Sequence, residues 1–273
     1  MNTRKDTAAV IRKWYSALSF PEDFDREFEK IVDTIPVAED TCIETYDLQC
    51  ADGKQNLLCF LYMCEALQAQ YRRCGIGEDI LMDTLRDIVR WTENWSAVKG
   101  ELCLFELEWL ARIMRFKLFK VGRLQFYMAP ARQAVPELGV LQGDPVVELH
   151  IPRGEKMTPE AVDASLAQGK AFLERYFPEY HYEYLTCISW LLDEKLKEYL
   201  PETSNIIRFG NRFHKVFSQE SNFLLRFLFR WDTSEENLAQ QVCNTQFQKT
   251  IRDAVLRGEV FHVTAGVLEK SKC

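Results

Sequence analysis

The chain of 273 residues is short of positive charge, with 34 Lys and Arg against 41 Asp and Glu, a formal charge of −7 and a pI near 5.3. A nucleic-acid reader needs a basic face to neutralise phosphates, so that class is set aside. No run approaches the roughly 20 apolar residues that cross a bilayer, and no membrane segment is expected. The opening MNTRKDTAAV lacks the apolar core of a secretory signal. The nine cysteines include no CxxC pair. Cys59, Cys64, Cys103 and Cys187 fall inside apolar segments, where thiols act as small hydrophobes. Reduced thiols and a cytoplasmic setting are therefore expected. His150, His181, His214 and His262 share no ligand spacing, which argues against a metal site. No internal repeat or low-complexity tract is present.

What is present changes period part-way along. In residues 55–73, Leu57, Phe60, Leu61, Cys64 and Leu67 follow the spacing of one helix face. Similar stripes predict helices near 7–18, 21–34, 78–95 and 101–115, a helical domain over residues 1–115. From residue 116 the pattern turns to short apolar strands mixed with helices, predicting an α/β domain on a mixed sheet over 116–273. Strands are expected at 116–128, 145–151, 182–192, 205–216, 222–230 and 259–267. Helices are expected after Thr158 and at about 193–200 and 235–257. Thr158 is a good N-cap, Pro159 suits the first helical position and Glu160 complements the dipole.

The stretch KLFKVGRLQF holds a phase slip. Phe119 and Val121 sit at odd positions, whereas Leu124, Phe126 and Met128 sit at even ones. A one-residue slip turns a strand over. A bulge at Gly122 would explain it and would aim Arg123 and Gln125 into a cleft. A hairpin turn at Val121-Gly122 competes, without the usual Asn-Gly or Asp-Gly pair. The bulge is the favoured expectation.

YRRCGI, DTLRDIVRW, GRLQF, LHIPRGEKMTPEAVDASLAQGKAFLERYFP and TCISWLLDEKLKEYLPETSNIIRFGNRF occur in this order. Together they resemble bacterial acyltransferase-domain proteins that join a helical N-terminal domain to a GNAT-like C-terminal domain, from about residue 45 to the end. The resemblance implies a mixed β-sheet with flanking helices and an acyl-coenzyme A co-substrate, acetyl-CoA or another acyl-CoA. The strand carrying Val147, Leu149 and Ile151 would pair its backbone with the pantetheine arm. Arg153, Gly154, Lys156 and Thr158 would hold the pyrophosphate at a helix N-terminus. The family loop Q/R-x-x-G-x-G/A is matched only at Arg153 and Gly154, and Glu155 and Glu160 add negative charge there. The next strand would splay to admit the thioester, and Tyr199 lies where the family often places the acid for the thiolate.

For the base, Glu148 and His150 alternate with Val147 and Leu149 on one side of a strand, a position from which an amine acceptor can be activated. Arg123, Gln125, His150 and Ser189 are the substrate-binding candidates, for a small-molecule acceptor, most simply an amine. Cys187 shares a face with Ser189 and is read as packing. In IIRFGNRFHK, Ile207, Phe209 and Phe213 point to a core, leaving Arg208 and Arg212 as carboxylate partners or acceptor anchors. The competing reading is a catalytically inactive GNAT-like protein that binds a ligand or partner, to which the atypical phosphate loop lends support.

Overall fold

The computed structural model describes residues 3–273, and the chain divides into two compact units between Lys120 and Val121. The first unit is helical: α1 (Thr3–Leu18), α2 (Asp25–Thr34), α3 (Gly53–Cys74), α4 (Glu78–Lys99) and α5 (Leu107–Met114). Asp52 caps α3 by accepting from the N–H groups of Lys54 and Gln55, both at 3.0 Å. The apolar stripe of α3 is buried through Leu57, Phe60, Leu61, Cys64 and Leu67. Each such side chain contributes about 1.5–3 kcal/mol. On α4, Leu81, Leu85 and Ile88 are buried, while Trp91 and Trp95 are half-buried.

The strands are β1 (Leu118–Val121), β2 (Leu124–Pro130), β3 (Pro145–His150), β4 (Tyr184–Ser189), β5 (His214–Glu220) and β6 (His262–Glu269), in the sheet order β1-β2-β3-β4-β6-β5. The sheet is mixed, because β3 and β4 run parallel whereas β2–β3, β4–β6 and β5–β6 are antiparallel. Helices α6 (Pro159–Tyr176), α7 (Asn205–Gly210), α8 (Leu224–Leu228) and α9 (Gln246–Leu256) flank it. The start of α6 is as the residues predict, with Thr158 Oγ1 accepting from the Ala161 N–H at 3.3 Å.

The phase slip at Gly122 is a turn, not a bulge. β1 ends at Val121 and β2 starts at Leu124, so Gly122 and Arg123 form a two-residue hairpin loop. Gly122 has φ +64 and Arg123 is not left-handed, the pattern of the hairpin turn with glycine at its first central position. Ser165 of α6 fixes it: its Oγ accepts from the Leu124 N–H at 3.0 Å and donates to the Val121 carbonyl. A Cβ on Gly122 would come within 3.2 Å of Ser165 Cβ and of Gln168 Oε1. The left-handed backbone and this close approach both require glycine.

Three more expectations are corrected. Residues 205–210 are helical, with Ser204 Oγ accepting from the Ile206 N–H at 3.3 Å, and the strand starts only at His214. Ile207 and Phe209 are buried as expected, but over one turn a helix and a strand bury similar patterns. Residues 224–228 are also helical, because Leu224, Leu225 and Leu228 follow helix spacing into the cluster around Phe261. α9 starts at Gln246 rather than near 235, where Thr245 and Gln248 form a capping box.

Candidate functional site

β3 and β4 part after a single step. Their pairing covers Val147↔Leu185 and Glu148↔Thr186, while β3 stays paired with β2 as far as Gln125↔His150. β4 meanwhile stays paired with β6 as far as Ser189↔Thr264. Two parallel neighbours, each held to its outer partner, therefore open into a V beyond Glu148. The Tyr180 hydroxyl, 3.0 Å from the Ala129 carbonyl and 2.7 Å from that of Val146, holds β2 and β3 together at the closed end.

Directly opposed residues share a sheet face. Val147, Leu149, Leu185 and Cys187 therefore lie on the face of Phe126, against which Gly169 of α6 packs. Glu148 and His150 lie on the other face with Gln125 and Tyr127. Gln125, His150 and Glu148 are thus brought together. Arg123 is buried in the hairpin turn instead of facing them from the strand. Ser189 is on the Cys187 face, where its Oγ accepts from the Leu191 N–H at 3.2 Å and starts a short 3₁₀ turn.

Glu148 is 4% exposed, yet it is ionised. Arg132 grips it with Nε–Oε1 at 2.6 Å and Nη2–Oε2 at 3.0 Å, and His150 Nε2 lies 3.4 Å from Oε2. Burial alone pushes its pKa up, but the hydrogen bonds from His150 and Arg132 outweigh burial and bring it down to about 2. A carboxylate so strongly acidic is a poor proton acceptor near neutrality. Because the folded-state value lies below the ordinary 4.5, the ionised group's stabilisation is complete above about pH 4.5 and is lost as pH falls through about 2. At roughly 1.36 kcal/mol per unit this is at most about 3 kcal/mol, less what solvent takes at the half-exposed Arg132. Glu148→Gln should therefore flatten the pH dependence of unfolding between pH 4.5 and 2, read by urea denaturation at a series of pH values.

Cys187 is buried, and burial followed by the nearby Glu148 charge pushes its thiol pKa well up. It supplies no thiolate, and packing is its role. Tyr199 follows a short 3₁₀ turn and packs on Phe261 at 5.6 Å between ring centres. Its hydroxyl donates to Glu259, and burial together with that bond pushes its pKa to about 12. Asp193 of SWLLD joins the end of β4 to the start of β6, accepting from the Lys195 N–H at 3.0 Å and the His262 N–H at 2.7 Å.

Past Ile151 the chain enters a surface loop in which Arg153, Gly154, Glu155 and Lys156 are exposed, before Thr158 caps α6. Arg212 reaches the first turn of α6, pairing with Asp163 and approaching the Pro159 carbonyl at 3.5 Å. The expectation of a carboxylate partner for Arg212 is met here.

A cavity of about 240 Å³ opens on the Glu148 face. Val146 and Glu148 of β3, Thr186 and Ile188 of β4, Val263, Ala265 and Val267 of β6 and Phe217 of β5 line it, and the loop carrying Arg132, Val135 and Val140 roofs it. Neither this loop nor Arg132 stood out in the sequence, because a loop has no periodicity and Arg132 meets its partner 16 residues away.

Two family models match: the N-acyltransferase N-terminal domain over residues 4–116 and the GNAT-like C-terminal domain over 118–268. No curated protein gives a significant match. Among solved structures, an acyltransferase in complex with decanoyl-CoA and teicoplanin aligns with TM-score 0.77 and 22% identity over 94% of this chain and 87% of that one. A mutant acyltransferase in complex with octanoyl-CoA aligns equally well, with the same identity and coverage. An acyltransferase with decanoyl-CoA alone aligns with TM-score 0.77 and 23% identity over 94% and 86%. Likeness at this identity establishes a shared fold, and the expected helical region followed by a GNAT-like mixed sheet is what is found. Matched along nearly its whole length, the chain belongs to the N-acyltransferases that couple an N-acyltransferase N-terminal domain to a GNAT-like C-terminal domain.

Proposed function

We propose that the protein transfers an acyl group from an acyl-CoA thioester to an amine on a small-molecule acceptor. The observation that carries this reading is the opening of β3 from β4 after Glu148↔Thr186, followed directly by a loop and a capped helix N-terminus. The pantetheine arm lies along β3 past Glu148, taking backbone hydrogen bonds from the segment of Val147, Leu149 and Ile151. The pyrophosphate lies over residues 153–158, with Arg153 and Lys156 supplying charge and α6 its N-terminal dipole. Gly154, at φ +119, gives the loop a bend that other residues resist.

In the reaction the amine nitrogen attacks the thioester carbonyl, a C–N bond forms, the C–S bond breaks, and coenzyme A leaves as thiolate. His150 takes the amine proton, and Glu148, fixed by Arg132, holds the imidazole and stabilises its charged form. Gln125, opposite His150 in the register, faces the acceptor with it. Tyr199 is committed to Glu259 and lies outside the cavity lining, so in this reading its role is structural.

Thermal unfolding with and without about 1 mM coenzyme A tests this binding mode. With a dissociation constant near 10 μM, linkage adds roughly 2.7 kcal/mol. That is a rise of very roughly 5–10 °C at about 2–4 °C per kcal/mol. The rise should be largely lost in the Arg153→Ala, Lys156→Ala variant. No rise for the parent protein would favour a fold kept for binding some other partner.

A further inference from the structure

We infer that the cavity on the Glu148 face is the site of the acyl chain, and that it selects a linear saturated chain of about eight carbons over acetyl. This rests on the acyl-CoA reading above and deepens it. The cavity begins where the strands part, because Glu148 and Thr186, the last paired residues of β3 and β4, both line it. A thioester whose arm runs along β3 has its acyl carbon at that point, and the cavity is the space that continues from it.

Its chemistry suits a hydrocarbon. Val146, Ile188, Phe217, Val263, Ala265 and Val267 supply the walls. The only charged groups in the lining, Arg132 and Glu148, are engaged with each other. A cationic amine would find no uncommitted carboxylate there. Ile188 is 43% exposed and Phe217 51% exposed, two large apolar side chains left in water at one opening. Exposed apolar surface gathered at a cavity is characteristic of a binding site.

Its size sets the chain length. At about 30 Å³ per water-sized group, 240 Å³ holds on the order of eight heavy atoms. Along β4 from Ile188 to Tyr184, both in the lining, the run is about 13 Å at ~3.3 Å per residue, room for an extended chain of that length.

Titration calorimetry of the full chain with coenzyme A and its acetyl, butanoyl, hexanoyl, octanoyl, decanoyl and palmitoyl thioesters tests the inference. Affinity should rise up to about fourfold per added methylene, the equivalent of about 0.8 kcal/mol, and level off near eight to ten carbons. Ala265→Phe, which fills the cavity, should bind acetyl-CoA as the parent does but lose most of the gain with length. Ile188→Asp, at a half-exposed position that tolerates polarity, should do the same and guards against a folding defect in the first variant. Equal affinity for acetyl and octanoyl thioesters overturns the inference and leaves the acyl-CoA reading standing. So does a length gain that both variants keep, which would return the cavity to the acceptor. If neither coenzyme A nor any thioester binds, both fall.

Discussion

His150→Ala is expected to lower kcat about 10²–10⁴-fold while leaving the KM for the thioester within about twofold. The magnitude is that of removing a positioned base. The split between the two constants arises because His150 touches the amine and not the coenzyme A moiety. The side chain sits on the strand edge beyond the last β3–β4 pair, with Gln125 opposite in the register and Glu148 Oε2 at 3.4 Å. Hydroxylamine is a suitable stand-in for the acceptor, with thiol release from octanoyl-CoA followed above the uncatalysed background. Glu148→Gln removes the anion that steadies the imidazolium but leaves the imidazole in place, so its loss should be smaller. Equal losses in both variants would instead mean that they act as one unit.

Gly169→Ala should cost about 2 kcal/mol of stability, a fall in Tm of about 4–8 °C. Alanine normally gains up to about 1 kcal/mol over glycine in a helix interior. Here a Cβ would overlap the Phe126 ring, which is fully buried and has nowhere to move. The overlap outweighs the propensity gain. Gly169 thus sets how closely α6 lies on β2, and through Ser165 the same helix holds the hairpin at Gly122. Calorimetric unfolding of the variant checks the sign: a raised Tm would mean that this contact is looser than described.

The parts of the fold that were legible have local causes. Thr158 and Pro159 announce α6, and the stripes of α3 and α4 announce themselves by period. The hairpin at Gly122 was half legible. The phase slip located it, but choosing a turn over a bulge depended on Ser165, 41 residues from Leu124. Residues 205–210 and 224–228 were too short for period to separate helix from strand, and packing against distant partners decided them. The same holds at the site. Glu148 and His150 could be placed on one face by alternation alone. The grip of Arg132, which turns Glu148 from a base into a fixed anion, comes from a loop, and no spacing rule reaches it.

The most direct test of this account is a crystal structure of the protein with octanoyl-CoA. The account predicts the pantetheine arm along β3 beyond Glu148, the pyrophosphate over residues 153–158, and the acyl chain in the cavity beside Ala265. Coenzyme A bound elsewhere on the molecule, with β3 and β4 parted around nothing, would contradict it.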